Sequence, residues 1–348
     1  DPVLCHAALA IAALMSTPGG ARAQGWSDHL SPDSVRGDRL FRRAMEHVAC
    51  ALDADECVPD ADSALLGAQV EWEQALVRID RALGYLPDQP ELLFFRALAL
   101  SRWEREEHGH TVRRVPDAIA AFEALRANHP ELASGRVAYE LALLRTRARD
   151  FSGASTEYER AADLELLLPV PPLVLPTRPP PHPFRPVLLY VAELFLAPTI
   201  RQLIANWAEV TMLAGDADGA IERYLVAIEA EGTTWPNGAL ARFGLALALD
   251  RSGAHDAALD AVREALDVEA PSDDISARTL VGGFGSFAPL HAEGVFFEPE
   301  CEMRAYEGLG SEALSAQAST AEGRRARLES ALGSWRAFLA EGGREGPW

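Results

Sequence analysis

Apolar and small residues recur at helical spacing along most of the chain, and one arrangement of them is repeated within residues 205–271. The first copy runs Asn206-Trp207-Ala208, then Gly215-Asp216-Ala217-Asp218-Gly219-Ala220, then Tyr224 and Ala227. The second runs Gly244-Leu245-Ala246, then Gly253-Ala254-His255-Asp256-Ala257-Ala258, then Val262, Ala265 and Leu266. In each copy a small residue stands twelve positions before a marker alanine (Ala208 before Ala220, Ala246 before Ala258). That spacing predicts two helices in close approach, and the glycine five positions before the marker predicts the end of the first helix.

The same register extends along the chain through Ala75, Ala118, Ala154, Ala220 and Ala258, at intervals of 43, 36, 66 and 38 residues. Before it, residues 34–51 carry Val35, Leu40, Phe41, Ala44, Met45 and Val48 at helical spacing, and residues 62–86, which hold Ala75, carry a longer helix stopped by Pro87. Residues 90–100 and 117–130 form the next helix pair, joined by a longer connection over 104–115. In the third pair Arg149 stands where the others have the turn glycine. Residues 169–186 hold nine prolines in eighteen positions, which no helix can cross, so a polyproline II spacer is expected. Residues 187–197 then read as a bridging helix. Periodicity lapses over 272–299, around Gly282-Gly283-Phe284-Gly285, and returns in a last hairpin whose second helix carries Ala331, Trp335 and Phe338.

This pattern resembles the tetratricopeptide repeat, a 34-residue helical hairpin whose apolar face is buried only by stacking on its neighbours. The resemblance implies an all-α fold, a right-handed superhelical array (α-solenoid) interrupted by the proline-rich tract and the glycine-rich loop. The expected organisation is a signal-peptide-like segment (1–23), a capping helix and loop (24–60) and repeats (61–168). A linker (169–186), a bridging helix with further repeats (187–272), the glycine-rich insertion (273–298) and a C-terminal hairpin (299–348) follow. In the family the first helices line a concave groove. Carrying its positions over gives Arg136, Tyr139, Glu140, Leu143 and Thr146, then Gln202, Ala205, Asn206, Glu209 and Met212, then Leu240, Phe243, Leu247 and Asp250. Members that clamp a C-terminal carboxylate use lysines, and this chain has none, so its groove is expected to hold a protein or peptide by apolar and aromatic contacts.

Composition narrows the partners further. The chain has 32 basic and 52 acidic residues, a net charge of -20, which disfavours nucleic acid and anionic membranes. The apolar run 3–15 and Ala21-Arg22-Ala23 follow the order of a secretory signal peptide, so an exported bacterial protein with a periplasmic or envelope location is expected. A retained N-terminal helix and a cytoplasmic location are the alternative. That run is too short to span a bilayer, and no transmembrane span is expected after signal removal. In an oxidising compartment Cys50 and Cys57 are either a disulfide stapling one turn or two buried thiols.

Catalytic signatures are not found. A phosphate loop of the Walker type needs a lysine, and Gly283-Phe284-Gly285-Ser286-Phe287 misplaces the serine of a nucleophile elbow. His108-Gly109-His110 offers two imidazoles where a zinc site needs three or four ligands, and Asp216 and Asp218 lack the remaining carboxylates of a calcium loop. No catalytic residue, metal or cofactor is therefore assigned. The expected function is a non-enzymatic scaffold or adaptor. The alternative is an accessory or carrier subunit of an envelope system, meeting a small molecule or glycan at the glycine-rich insertion.

Overall fold

A computed structural model describes residues 32–52, 61–107, 110–130, 135–164, 200–231, 237–266, 295–296 and 301–342. The signal-like segment, Cys57, His108, the proline-rich tract, residues 187–197 and the glycine-rich run lie outside them. The described residues form twelve helices and one short β-hairpin, an all-α helical-repeat fold. They divide into two compact units, with the boundary falling between the fourth and fifth helices, inside the span 61–168 that the repeat register groups together.

The first unit contains α1 (Pro32–Leu52), α2 (Ala61–Leu83), α3 (Pro90–Arg102), β1 (Glu104–Glu107), β2 (His110–Arg113) and α4 (Val115–Asn128). Proline in the first turn of α3 and of α4 starts each helix, since its missing N–H is not needed there. Successive helices pack together. A chain of rings crosses the core: Phe41 of α1 lies 5.9 Å from Phe95, Phe95 5.4 Å from Phe94, and Phe94 5.9 Å from Phe122 of α4. The connection after α3 is an antiparallel hairpin, in which Glu104 pairs with Arg113 and Arg113 Nε donates to Glu104 Oε1 at 2.7 Å. Its strands carry charge on most positions, so hydrophobic alternation gives no sign of them. Cys50, near the end of α1, is disulfide-bonded.

The second unit contains four helical hairpins: α5 (Gly135–Arg147) with α6 (Phe151–Asp163), α7 (Ile200–Leu213) with α8 (Ala217–Glu231), α9 (Asn237–Arg251) with α10 (His255–Leu266), and α11 (Glu302–Ala316) with α12 (Ala321–Ala340). Each second helix packs on the next first helix, α6 on α7, α8 on α9 and α10 on α11. Adjoining first helices also touch, α7 with α9 and α9 with α11. The marker alanines account for this spacing. Ala142, Ala154, Ala208, Ala220, Ala246 and Ala258 are all fully buried, so each pair of helices meets through a methyl group. Four and seven residues after each marker come Tyr158 and Ala161, Tyr224 and Ala227, Val262 and Ala265, all buried. Burial of each large side chain contributes about 1.5–3 kcal/mol.

Three of the four hairpin turns share one geometry. Gly215 and Gly253 adopt φ of 95° and 88°, and Arg149 adopts φ of 60° at the equivalent place. In all three the following residue's N–H reaches back to the preceding helix: Asp216 to Thr211, Ala254 to Leu249 and Asp150 to Arg145. These bonds close the left-handed helix ends that glycine favours. The next helix is then capped by a side chain in two of them. Asp150 Oδ1 accepts from the Gly153 N–H at 3.0 Å, and Asp216 Oδ1 from the Gly219 N–H at 2.9 Å. The aspartate that begins the calcium-like run is thus an N-cap.

Arg149 and Gly253 hold the same turn position with opposite fitness for it. A side chain in the left-handed region costs about 1–2 kcal/mol, and nothing within 4 Å would obstruct a Cβ at Gly253. Urea denaturation is expected to show Arg149→Gly more stable and Gly253→Ala less stable, each by about 1 kcal/mol.

Candidate functional site

The residues marked for the groove lie on successive first helices, and their neighbours follow from the stacking. On α5, Arg136 Nη2 donates to the Glu140 carboxylate at 2.6 Å, one helical turn away and in the interior. The same guanidinium lies 5.8 Å over the Tyr139 ring. Tyr139 meets Tyr158 edge to face, with centroids 5.8 Å apart. Its hydroxyl accepts from Asn206 Nδ2 of α7 at 2.9 Å, which joins marked residues of two consecutive first helices. Leu143 and Thr146 are buried beside them.

On α7, Glu209 is fully buried, and Gln202 lies where side chains are outside the described set. Two tyrosines reach Glu209 Oε2: Tyr224 from α8, and Tyr306 from α11, whose hydroxyl donates at 2.7 Å. Glu209 Oε1 is buried with no hydrogen-bond partner among the described residues. The ring of Tyr224 lies against Gly244 of α9, where a Cβ would fall inside it. Gly244 is therefore what lets the tyrosine reach across. Close by, Arg251 of α9 and Glu302 of α11 form an interior ion pair.

Met212, Leu240, Phe243 and Leu247 are buried in the same apolar cluster as Tyr224 and Tyr306. Asp250, at the end of α9, stays partly exposed and bonds His255 Nδ1 at 2.6 Å, while His255 Nε2 meets Glu312 of α11 at 3.1 Å. Two residues from the edge of the glycine-rich insertion join these clusters. Val295 shares one with Tyr139 and Leu143, and Phe296 lies 6.5 Å from the Tyr224 ring. Among the marked residues whose side chains are described, Asp250 alone keeps partial exposure; the others face the interior.

Electrostatics follow the burial. Removal from water pushes the Glu209 carboxyl up to about 7, offset in part by the hydrogen bonds from Tyr224 and Tyr306. Burial, with Glu209 close by, raises both tyrosine hydroxyls well above their ordinary value. Burial likewise raises Glu302, and Arg251 offsets it. His255 is raised, chiefly by its bond to Asp250. Among the described residues no group of three His, Cys, Asp or Glu side chains is placed to hold a metal ion, and no helix is long and apolar enough to cross a membrane.

Sequence reasoning marked Glu209 by position but not Tyr306, Arg251 or Glu302, which join it from two other helices. The available signal was a carboxylate set between Ala208 and Val210, the one acidic residue of that helix. Its partners up to 97 residues away are not visible in a single chain.

Because the folded carboxyl of Glu209 holds its proton to about pH 7 and the unfolded one releases it near 4.5, the folded state binds the extra proton between those values. Its contribution to stability is complete below pH 4.5 and is lost as pH rises through 7. Thermal or urea denaturation of Glu209→Gln against wild type is expected to show the variant gaining relative stability from pH 5 to pH 8. The gain is of order 2–3 kcal/mol.

No protein-family model matches the chain, and no curated protein matches it. Among solved structures, one titled "Structure of Naa15/Naa10 bound to HypK-THB" is 16% identical over 88% of this chain and 36% of its own, with a TM-score of 0.35. This chain spans about a third of that protein's length, and a likeness at that level carries no argument about function.

Proposed function

We propose that the chain is an exported, non-enzymatic scaffold of the tetratricopeptide kind that holds a protein or peptide partner along its first helices. The observation that carries this reading is the alignment of neighbouring first helices, fixed in the interior by the bond from Asn206 of α7 to Tyr139 of α5, with Asp250 partly exposed at the edge of that row. The contacts of α7 with α9 and of α9 with α11 extend the same alignment.

What sits beside that surface indicates the kind of ligand it takes. Val295 and Phe296, two apolar residues outside any helix, are buried in the clusters that contain Tyr139, Leu143 and Phe243. A partner segment of the same character, short, apolar and non-helical, would be held by dispersion and desolvation rather than by charge. The reading of the glycine-rich insertion as a small-molecule or glycan site draws on residues outside the described set, apart from these two buried ones.

A photo-crosslinking residue tests the proposal when placed at Asp250, the marked position that keeps partial exposure, and separately at Leu225 on the exposed face of α8. In the native envelope, adducts with one defined partner from position 250 and none from position 225 are expected. Adducts from 225 alone, or from neither, would remove the first-helix surface from consideration.

A further inference from the structure

In the second unit each second helix gives one lengthwise row of side chains to the first helix that follows. Counted from the marker alanine, the row lies three positions before it and one and eight positions after it. On α6 it is Phe151, Ser155 and Ala162; Ser155 Oγ accepts from Trp207 Nε1 of α7 at 2.9 Å, and the other two pack on the core. On α8, Ile221 and Ile228 of the row are partly buried against the shared core. On α10, His255 meets Glu312 of α11, and Leu259 packs on the core. The row is thus where one hairpin is covered by the next.

On α12 the same row reads Leu328, Leu332 and Leu339, and these side chains are 46%, 49% and 45% exposed. The adjoining side of the helix, Ala331 and Phe338, is buried against α11. Trp335 lies at the margin between the two: a Cβ on Gly308 of α11 would come 2.7 Å from its ring, yet part of the indole remains exposed. Leu328, Leu332, Trp335 and Leu339 follow one another at steps of four, three and four residues, the spacing of a coiled-coil seam.

We propose that this seam is occupied by α12 of a second copy of the chain, antiparallel, in a twofold dimer. The row reads the same in both directions. When Leu328 stands opposite Leu339 of the second copy, Leu332 stands opposite its Trp335, and the twofold axis repeats both pairs. The flanking charges match in the same register. Glu329 is brought beside Arg336 of the second copy, and Arg336 beside its Glu329. Arg336 is exposed and makes no ion pair among the described residues, while Glu329 is held by Arg325 in a pair that is largely in water. Arg325, in turn, falls beside Glu341 of the second copy, the residue that follows the helix end and that Arg304 of its own chain holds in an exposed pair.

In parallel pairing the flank of Glu329 and Arg336 would face the second copy's flank of Ala331 and Phe338, which its own α11 covers, so only the antiparallel arrangement brings these charges together. Four half-exposed side chains per copy form a small seam against the roughly 800 Å² per partner of a standard interface. The dimer is therefore reversible, with a dissociation constant on the order of micromolar.

Sedimentation equilibrium of the full chain from about 1 to 200 μM spans that range. The wild type is expected to pass from monomer to dimer, and Leu332→Glu to stay monomeric with an unchanged circular dichroism spectrum and melting temperature. Glu329→Arg and Arg336→Glu should each weaken the dimer about tenfold by placing like charges together, and the double variant should restore it. A wild type that stays monomeric at every concentration, as it would if the row serves a helix of a different protein, overturns the proposal. A dimer that survives Leu332→Glu, or single charge variants that the double does not rescue, also overturns it.

Discussion

How closely a second helix can lie against its first governs the rest of the larger unit. Ala142 with Ala154, Ala208 with Ala220, and Ala246 with Ala258 put methyl groups where the helices meet. Larger side chains there would force the axes apart, since packed interiors have little room to yield. Only at this separation does the ring of Tyr224 pass over Gly244 and bring its hydroxyl to Glu209, and only then does Tyr306 arrive from α11 at the same oxygen. The apolar spacing of the repeat thus comes first, and the polar contacts are built on it.

Those polar contacts lie in the interior. Arg136 with Glu140, Arg251 with Glu302, and the two tyrosines on Glu209 all place ionisable groups away from water. Such groups add little net stability, because desolvation offsets most of the attraction, yet removing one partner leaves a costly orphan. We read them as register devices. A hairpin displaced along its neighbour by one turn would keep most of its apolar burial and lose the bonds that run between hairpins, Arg251 with Glu302 and Tyr306 with Glu209.

Much of the scaffold was legible in the chain. The alanine register, the turn glycines and the substitution of Arg149 each rest on short-range rules, and each has its counterpart in the helices and left-handed residues described above. The hairpin over residues 104–113 escaped notice because its strands are held by backbone bonds and by Glu104 with Arg113, without apolar alternation. The candidate site was legible by position only. A repeat register tells which side of a first helix Tyr139, Met212 or Phe243 occupies. It does not tell what covers that side, and burial among neighbouring helices, Val295 and Phe296 depends on contacts far apart in the chain.

The bond from Tyr306 to Glu209 skips a hairpin, running from α11 to α7 past α9. Arrays in which each repeat touches only its neighbours melt from their ends, because the last repeat detaches at the cost of a single interface. Here the departure of α11 and α12 would also strip a hydroxyl from a carboxylate two hairpins inward and separate Arg251 from Glu302. The loss would be felt at once in the middle of the unit, so fraying at its C-terminal end is suppressed and the four hairpins behave as one cooperative block, closer to a globular domain than to a chain of links.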